Sequence, residues 1–428
     1  MIDVENIRKD FPMLDDSKKN QGHKLVYLDS AATALKPMQV VNGAMKYYLE
    51  DSANSHRGDY DLAYRVDKTV DETRQKVAHF IGADKEEVVF TSGTSMSINL
   101  VAFGYGMKHI TADDEILITE AEHASNVLPW YKVKEQTGCE VNFIPLDKEG
   151  RLTPESLRKV ITKKTKIVAV AQITNVLAYL CDIKELAKIA HENGAILVVD
   201  GAQSVPHIKV NVKDLDCDFL SFSGHKMCGP TGIGILYGKY ELLQKTDPFM
   251  MGGGNNARFD MCGNVSFLQP PEKFEAGTLN LAGIYGLGAA VDYLENIGME
   301  NIEEYELDLR KYAISKLKTL QNITIYNENA EGSIITLNVN DVFAQDEASY
   351  LNSKGICVRS GEHCAKILHD FLKTVATVRV SFSFYNTKED IDILVEALKS
   401  GGDFLDAFFN WCKYDERNHH GALQFSKQ

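Results

Sequence analysis

Short apolar runs punctuate the middle of the chain: EVVF (87–90), EILITE (115–120), EVNFIP (140–145), KIVAVAQI (166–173), AILVVDGAQ (195–203) and DFLSFSG (218–224). Stretches with helical periodicity separate them, such as SINLVAFGYGM, PESLRKVI and IKELAKIAHENG, the last closed by Gly194 as a C-terminal cap. Continuous apolar strands alternating with helices predict an α/β fold. Its mostly parallel sheet would be covered on both faces by crossover helices. Such a sheet binds its ligand outside the carboxyl ends of its strands, so chemistry is expected just after these runs. Beyond about residue 285 the texture changes to a long helix (YGLGAAVDYLENIG) followed by TIYNEN, SIITLNV and ATVRVSFSFYN. This predicts a smaller α+β domain over 286–410, joined by residues 1–24, beside a large domain over 25–285. Residues 411–428 read as a tail extension. A Gly-rich stretch at 250–264 reads as a mobile hairpin or loop.

Composition narrows the class. The chain has 428 residues, 44% hydrophobic and 25% charged, as in a globular protein large enough for two domains. A net charge of -14 argues against a nucleic-acid partner. No apolar window reaches the length of a membrane span. MIDVENIRKDFPML lacks the apolar core of a secretion signal, so a cytoplasmic location is expected. The eight cysteines form no CxxC pair, so no metal site is expected, and a reducing compartment would leave them as free thiols.

Two strand ends carry unusual residues. ILVVDGAQ runs directly into Asp200, and a carboxylate there is costly unless a cation meets it. The protonated ring nitrogen of pyridoxal 5'-phosphate (PLP) would be such a cation, and its charge makes the ring an electron sink. Standing alone, Asp200 could equally cap a helix. The second strand end is FLSFSGHKMCGPTGIG, in which Lys226 lies between an apolar strand and a Gly/Pro loop. Desolvation and neighbouring cations would lower the pKa of that amine and fit it for imine formation. Ser223 and His225 could donate to a phosphate. SGHK alone could be a plain loop, but paired with VVDGAQ about 25 residues earlier it is a specific signal. In VVFTSGTSMSINLVA, Ser92 to Ser95 open a helix, an anion site or an ordinary cap. His123, after ILITEAE, could stack on a flat ring and relay protons, or be a satisfied structural histidine.

Together these segments resemble the class V aminotransferase-like family of PLP enzymes, and within it the cysteine desulfurases. The resemblance runs from about residue 10 to about 400. It includes VYLDSAATALKP, NSHRGDY, EHASNVLPW, TNVLAYLCDI, FEAGTLNLAG and VRSGEHCA besides the motifs above. The short, uninterrupted approach to the last motif is that of the SUF-type branch. The resemblance implies a seven-stranded sheet in a large PLP-binding domain, with Lys226 as the Schiff-base lysine and Asp200 pairing the pyridine nitrogen. Gln203 would contact the ring hydroxyl, His123 would stack on the ring, and Asn175 would orient cofactor and substrate. Thr94, Ser95, Ser223 and His225 would hold the phosphate, with Thr278 supplied across a homodimer. Arg379 would grip the substrate carboxylate by a bidentate contact, with Arg359 beside the reacting atoms.

Desulfuration needs a soft nucleophile that can keep the sulfur, and a thiolate is both. Cys364, in VRSGEHCAK, is the candidate. Arg359 and His363 are expected to favour its thiolate and Glu362 to oppose it. Cys228 is the competitor, read as packing, and Cys357 reads as core. The implied reaction converts L-cysteine to L-alanine and leaves a persulfide on Cys364. An acceptor protein of a SUF-type system would take that sulfur for iron–sulfur cluster assembly. Three positions depart from the SUF-type pattern: Glu362 for a common His, Ala178 for a frequent Gly that could narrow the site, and CAKI without the usual proline. Rival readings are a selenocysteine lyase, a class V aminotransferase or epimerase with a dispensable Cys364, and a non-catalytic PLP-holding scaffold for sulfur transfer. In the tail, Trp411, Cys412, His419 and His420 read as an exposed extra helix in preference to a metal site or sulfur relay.

Overall fold

The computed structural model describes residues 2–55 and 58–399. His56 and Arg57 of the NSHRGDY motif, and the whole tail extension, lie outside the described residues.

The six apolar runs form six strands of one sheet: β1 (Val88–Thr91), β2 (Glu115–Thr119), β3 (Glu140–Ile144), β4 (Thr165–Ala171), β5 (Ile196–Asp200) and β6 (Phe219–Ser223). A seventh, β7 (Gly234–Gly238), completes the order β1-β7-β6-β5-β4-β2-β3. From β6 to β3 all neighbours are parallel. β7 runs antiparallel to both β6 and β1, so the sheet is mixed at one side. The reason is the connection: the segment between β6 and β7 holds the lysine turn and no crossover helix, so the chain must double back. All residues of β6 and β7 are buried, as expected of strands covered on both faces.

Helix α1 (Asp61–Ile81), the helical run that begins with α2 (Thr94–Leu100), α3 (Ile183–Glu192) and α4 (Leu281–Ile297) cover the sheet. α3 begins on Asp182, whose side chain accepts from Glu185 N–H, and ends at Asn193 with Gly194 following at φ +80°. α4 is buried along most of its length and belongs to the same apolar cluster as β5 and β6. Further along the chain, α5 (Met299–Leu317) and α6 (Lys388–Lys399) accompany a four-stranded antiparallel sheet. Its strands are β8 (Ile323–Ile325), β9 (Ile334–Val339), β10 (Arg359–Gly361) and β11 (Thr377–Ser381), in the order β8-β9-β11-β10. Asn256–Phe259 within the Gly-rich stretch and Val265–Phe267 just after it form a two-stranded hairpin.

The N-terminal segment ties the two sheets together. Val26–Tyr27 pairs in parallel with Ile356–Cys357, and Asp29 bridges to Ser381 at the end of β11. Continuing, Ala34 N–H donates to the carbonyl of His225 in the lysine turn. One short strap therefore touches both sides of the groove between the sheets. No helix of the described residues is long and apolar enough to cross a membrane.

A buried ion pair fixes β1, the strand that leads into α2. Arg74 donates to both carboxylate oxygens of Glu275 at 2.7 and 2.8 Å and to the Val88 carbonyl at 2.7 Å, and Phe90 N–H donates to Glu275. Both side chains are about one-twentieth exposed, so removing either strands the other's charge. Arg74→Met is expected to lower unfolding stability by about 3–5 kcal/mol in denaturant titration. A loss below about 1 kcal/mol would show that the pair does not brace this edge.

Candidate active site

A cavity of about 210 Å³ opens at the carboxyl ends of β5 and β6, facing β10 and β11 of the small sheet. Asp200 is the last residue of β5 and Ser223 the last of β6, with Lys226 closing the turn that follows. All three line the cavity, together with Gln203 and His225. Thr94 and Ser95 enter from the start of α2, and His123 and Asn175 from the loops after β2 and β4. Arg359, Cys364 and Arg379 close it from the side of the four-stranded sheet. Thr278 alone of the expected residues is outside: it is exposed and does not line the cavity.

The centre of the site is an apposition of buried opposite charges. Asp200 accepts from Ala202 N–H at 2.9 Å. Burial raises its pKa, opposed by Lys226 and that N–H. Burial pushes the Lys226 amine down to about 8, helped by Arg379 and Arg359 and opposed by Asp200 and Cys364. Both effects follow from placing ionisable groups at the end of an apolar sheet. His123 accepts from Ser125 N–H through Nδ1 at 3.1 Å, which leaves the ring proton on Nε2. Burial, with Lys226 and the two arginines, holds this imidazole neutral, its pKa pulled down to about 4.

The opposite wall is a cradle of hydroxyls. Ser223 Oγ accepts from Thr94 N–H at 2.8 Å and lies 2.7 Å from Thr94 Oγ1, while Ser95 and Ser125 hydroxyls are 2.6 Å apart. His225 is neutral, pulled down to about 4 mainly by burial and by Lys226. Gly93 lies at φ +149°, and a Cβ on Gly234 would meet Gly93 Cα at 2.4 Å, so backbone packs directly on backbone below the cradle.

At the mouth, Arg379 and Arg359 stand directly opposite each other on β11 and β10. Like charges so paired repel, which favours an anion between or beside them. Arg379 is nearly wholly buried. It donates to the Asn175 carbonyl at 3.1 Å and to Asp29 at 3.4 Å, and its Nε has no partner among the described residues. Burial lowers its pKa to about 10, so it remains a cation at neutral pH.

Cys364 is exposed at this mouth. It and His363 adopt left-handed backbone in succession, φ +57° and +50°, a conformation costing about 1–3 kcal/mol per non-Gly residue. Three contacts hold it. Ala124 N–H donates to the Cys364 carbonyl at 2.7 Å, and Asn175 Nδ2 donates to the His363 carbonyl at 2.8 Å. His363 Nε2 lies 3.0 Å from Thr377 Oγ1 and 3.1 Å from Thr377 O. These bonds supply the stiffness that a proline after the cysteine would have given. Lys366 stands one turn-residue on, opening a short helix. His363 was expected to act as a cation beside the thiol. It is instead buried and neutral, its pKa down to about 2, because desolvation and Arg379 disfavour its charge. Glu362 is exposed. Cys228 is buried, its thiol pushed up to about 12 by burial, and does not line the cavity.

Ala178 does not narrow the site. It lies in a buried turn outside the cavity at φ +57°, where glycine is the unstrained residue, and presses on Gly332. Sequence reasoning missed two residues at the mouth. Asp29 was quoted only as part of LDSAATA, and the neutral His363 only as a charge. Nothing in local spacing shows that residue 29 meets residue 379; a carboxylate ending an apolar VYL run was the available signal.

The donor set fits PLP. A buried carboxylate lies beside a depressed amine, a flat neutral imidazole lines the cavity, and hydroxyls and a backbone N–H gather opposite. The buried Oδ1 of Asn175 has no partner among the described residues. Such a site on such a sheet defines a PLP enzyme of the α/β type. Over residues 26–394 the sequence matches the family described as aminotransferase class-V. A probable cysteine desulfurase of Halalkalibacterium halodurans is 44% identical over 411 residues, 95% of this chain and 100% of that one. One from Staphylococcus aureus is 44% identical over 407 residues, 94% of this chain and 98% of that one. Among solved structures, the cysteine desulfurase CsdA of Escherichia coli superposes with a TM-score of 0.87 at 36% identity. The apo cysteine desulfurase of Thermococcus onnurineus NA1 does so with a TM-score of 0.88 at 39% identity. Both alignments cover 94% of this chain and 98% of the other. The chain belongs to the class-V aminotransferase family, in its cysteine desulfurase group.

Because burial has already brought the Lys226 amine down to about 8, its free base is available well below the ordinary lysine range. The rate at which cofactor-free protein captures PLP, followed by absorbance, is therefore expected to rise with pH and level off above about 8. A rate still climbing towards pH 10.5, the ordinary value, would contradict the depressed amine.

Proposed function

We infer that this chain is a PLP-dependent cysteine desulfurase that converts L-cysteine to L-alanine and holds the departing sulfur as a persulfide on Cys364. The observation that carries the reading is the shared cavity. Lys226 and Asp200 from the large domain face Arg379 and a braced, exposed Cys364 from the small one. PLP, held by Lys226, Asp200, Gln203, His123 and the Thr94–Ser95–Ser223–His225 cradle, supplies an electron sink for the substrate's Cα.

The chain's own groups do the rest. Arg379 takes the substrate carboxylate, with its unpartnered Nε as a ready donor, and Asn175 keeps the amino acid aligned. The Lys226 amine removes the Cα proton, for which a pKa near neutrality suits it. The Cys364 thiolate attacks the substrate Sγ. An S–S bond forms as the Cβ–Sγ bond breaks, the bonding pair stays with Cβ and takes up a proton there, and Lys226 returns a proton to Cα to complete alanine. His123, neutral with its proton on Nε2, is placed to move a proton at this end of the site. Atoms and electrons balance without an external reductant. The persulfide sulfur then passes to a thiol acceptor, an acceptor protein of a SUF-type system that supplies iron–sulfur cluster assembly.

The same reading includes a homodimer in which Thr278 reaches the neighbouring subunit's phosphate cradle. Its exposure outside its own cavity supports this. A cytoplasmic location and a large domain over 25–285 beside a small one over 1–24 and 286–410, with 411–428 as an extension, complete it.

Turnover of L-cysteine by wild type and Cys364→Ala, with alanine and persulfide measured separately, tests the reaction. Cys364→Ala is expected to lose persulfide and most alanine production while keeping the bound-cofactor absorbance; full alanine output with persulfide intact would overturn the mechanism. Cys228→Ala should turn over as wild type does. Arg379→Lys removes the bidentate grip and is expected to raise KM for L-cysteine by about tenfold or more. An unchanged KM would remove Arg379 from substrate binding. The ratio of L-selenocysteine to L-cysteine rates separates desulfurase from selenocysteine lyase.

A further inference from the structure

The strap that crosses from β11 to the lysine turn ends in a residue the reaction does not use. Lys36 is half-buried, and its three ammonium hydrogens meet three acceptors: Thr33 Oγ1 at 2.9 Å, the His225 carbonyl at 3.0 Å and the Ala34 carbonyl. No carboxylate pairs with it among the described residues. The His225 carbonyl is the point of convergence. Besides Lys36 it accepts from Thr33 Oγ1 at 3.1 Å and from Ala34 N–H at 3.0 Å. A carbonyl has two lone pairs, so three donors, one of them charged, crowd it more than a turn requires. That carbonyl belongs to the peptide bond joining His225 to Lys226.

We propose that Lys36 is a positioning residue for Lys226: with Thr33 and Ala34 it clamps the His225 carbonyl and so fixes the peptide plane from which the Lys226 side chain leaves. The turn needs such a clamp. It comprises only Gly224–Lys226, and its own bonds run to the Gly224 carbonyl, from Met227 and Gly229 N–H, leaving the His225 carbonyl to the strap. Pro37 keeps Lys36 extended, and the other end of the strap is anchored by Ser381, whose N–H donates to the Leu28 carbonyl at 2.8 Å and whose Oγ accepts from Ala31 N–H at 3.0 Å. Between the anchors, Gln203 Nε2 donates to the Ala31 carbonyl at 2.9 Å. The strap thus connects the strand of Arg379 to the turn of Lys226. A compact ammonium suits the task, since a guanidinium fork would not match three acceptors grouped about one point. Burial, which lowers the Lys36 pKa to about 8, shows how far this amine has been drawn out of water for contacts with neutral acceptors.

This inference rests on Lys226 as the cofactor lysine, and its test reads the cofactor and not desulfuration. Holoenzyme of wild type, Lys36→Met and Lys36→Arg would be compared by visible circular dichroism of the bound cofactor and by the rate of cofactor loss into a trap. Thermal unfolding of each cofactor-free form monitors the fold. Lys36→Met is expected to change the sign or amplitude of the cofactor's dichroism and to speed its loss about tenfold, as removal of a charge-assisted hydrogen bond would. Lys36→Arg should restore part of both. Wild-type dichroism and retention in Lys36→Met would overturn the proposal, whatever happened to stability. Should Lys36→Met not fold, Thr33→Val, which removes one donor and one Lys36 acceptor, is expected to shift both readouts in the same direction by less; no shift there overturns it equally. Lys226→Ala separates the two levels: if it keeps the wild-type cofactor band, the reading of Lys226 has failed and not the role of Lys36.

Discussion

Burial of Asp200 at the end of β5 is the constraint on which the site depends. The carboxylate accepts one backbone N–H, and the cation that opposes its raised pKa is the Lys226 amine in the same cavity. Neither group is comfortable: burial raises one pKa and lowers the other. An apolar sheet that ends in this way is stable only because the charges oppose each other, and it is useful because a protonated ring nitrogen can take the place of that partner. The same desolvation explains the neutral His123 and His225.

The four-stranded sheet and the segment after β10 contribute what desulfuration adds to amino-acid activation. Its two opposed arginines make an anion-seeking mouth, and its left-handed pair, His363 and Cys364, presents the thiol. That pair is held from the seven-stranded sheet's loops, by Ala124 beside His123 and by Asn175 after β4. Cys364 is therefore registered against His123 through one peptide bond. His363 serves this arrangement by packing against Thr377, not by its charge.

Much of this was legible in the chain. Six apolar runs became six strands, and twelve of the thirteen expected site residues line one cavity, because strand-end position converts directly into site position in a parallel sheet. The resemblance implied seven strands, but the place of the seventh and its reversal were not legible, since Gly234–Gly238 follows a loop whose length, not its composition, forbids a crossover. Ala178 likewise looked like a matter of cavity width, whereas its backbone angle shows a left-handed turn away from the cavity.

What the sequence determined by itself was the order of strands with chemistry at their ends, and the presence of a lysine, an aspartate and a cysteine of the right kinds. Those are local properties: an apolar run followed by a polar residue reports its own burial. Tertiary structure alone decided the pairings across long separations. Asp29 meets Arg379, Asn175 holds the His363 carbonyl, and Lys36 reaches the carbonyl before Lys226. Burial then set the charge states, because desolvation and neighbouring cations exist only once the two sheets close over the groove.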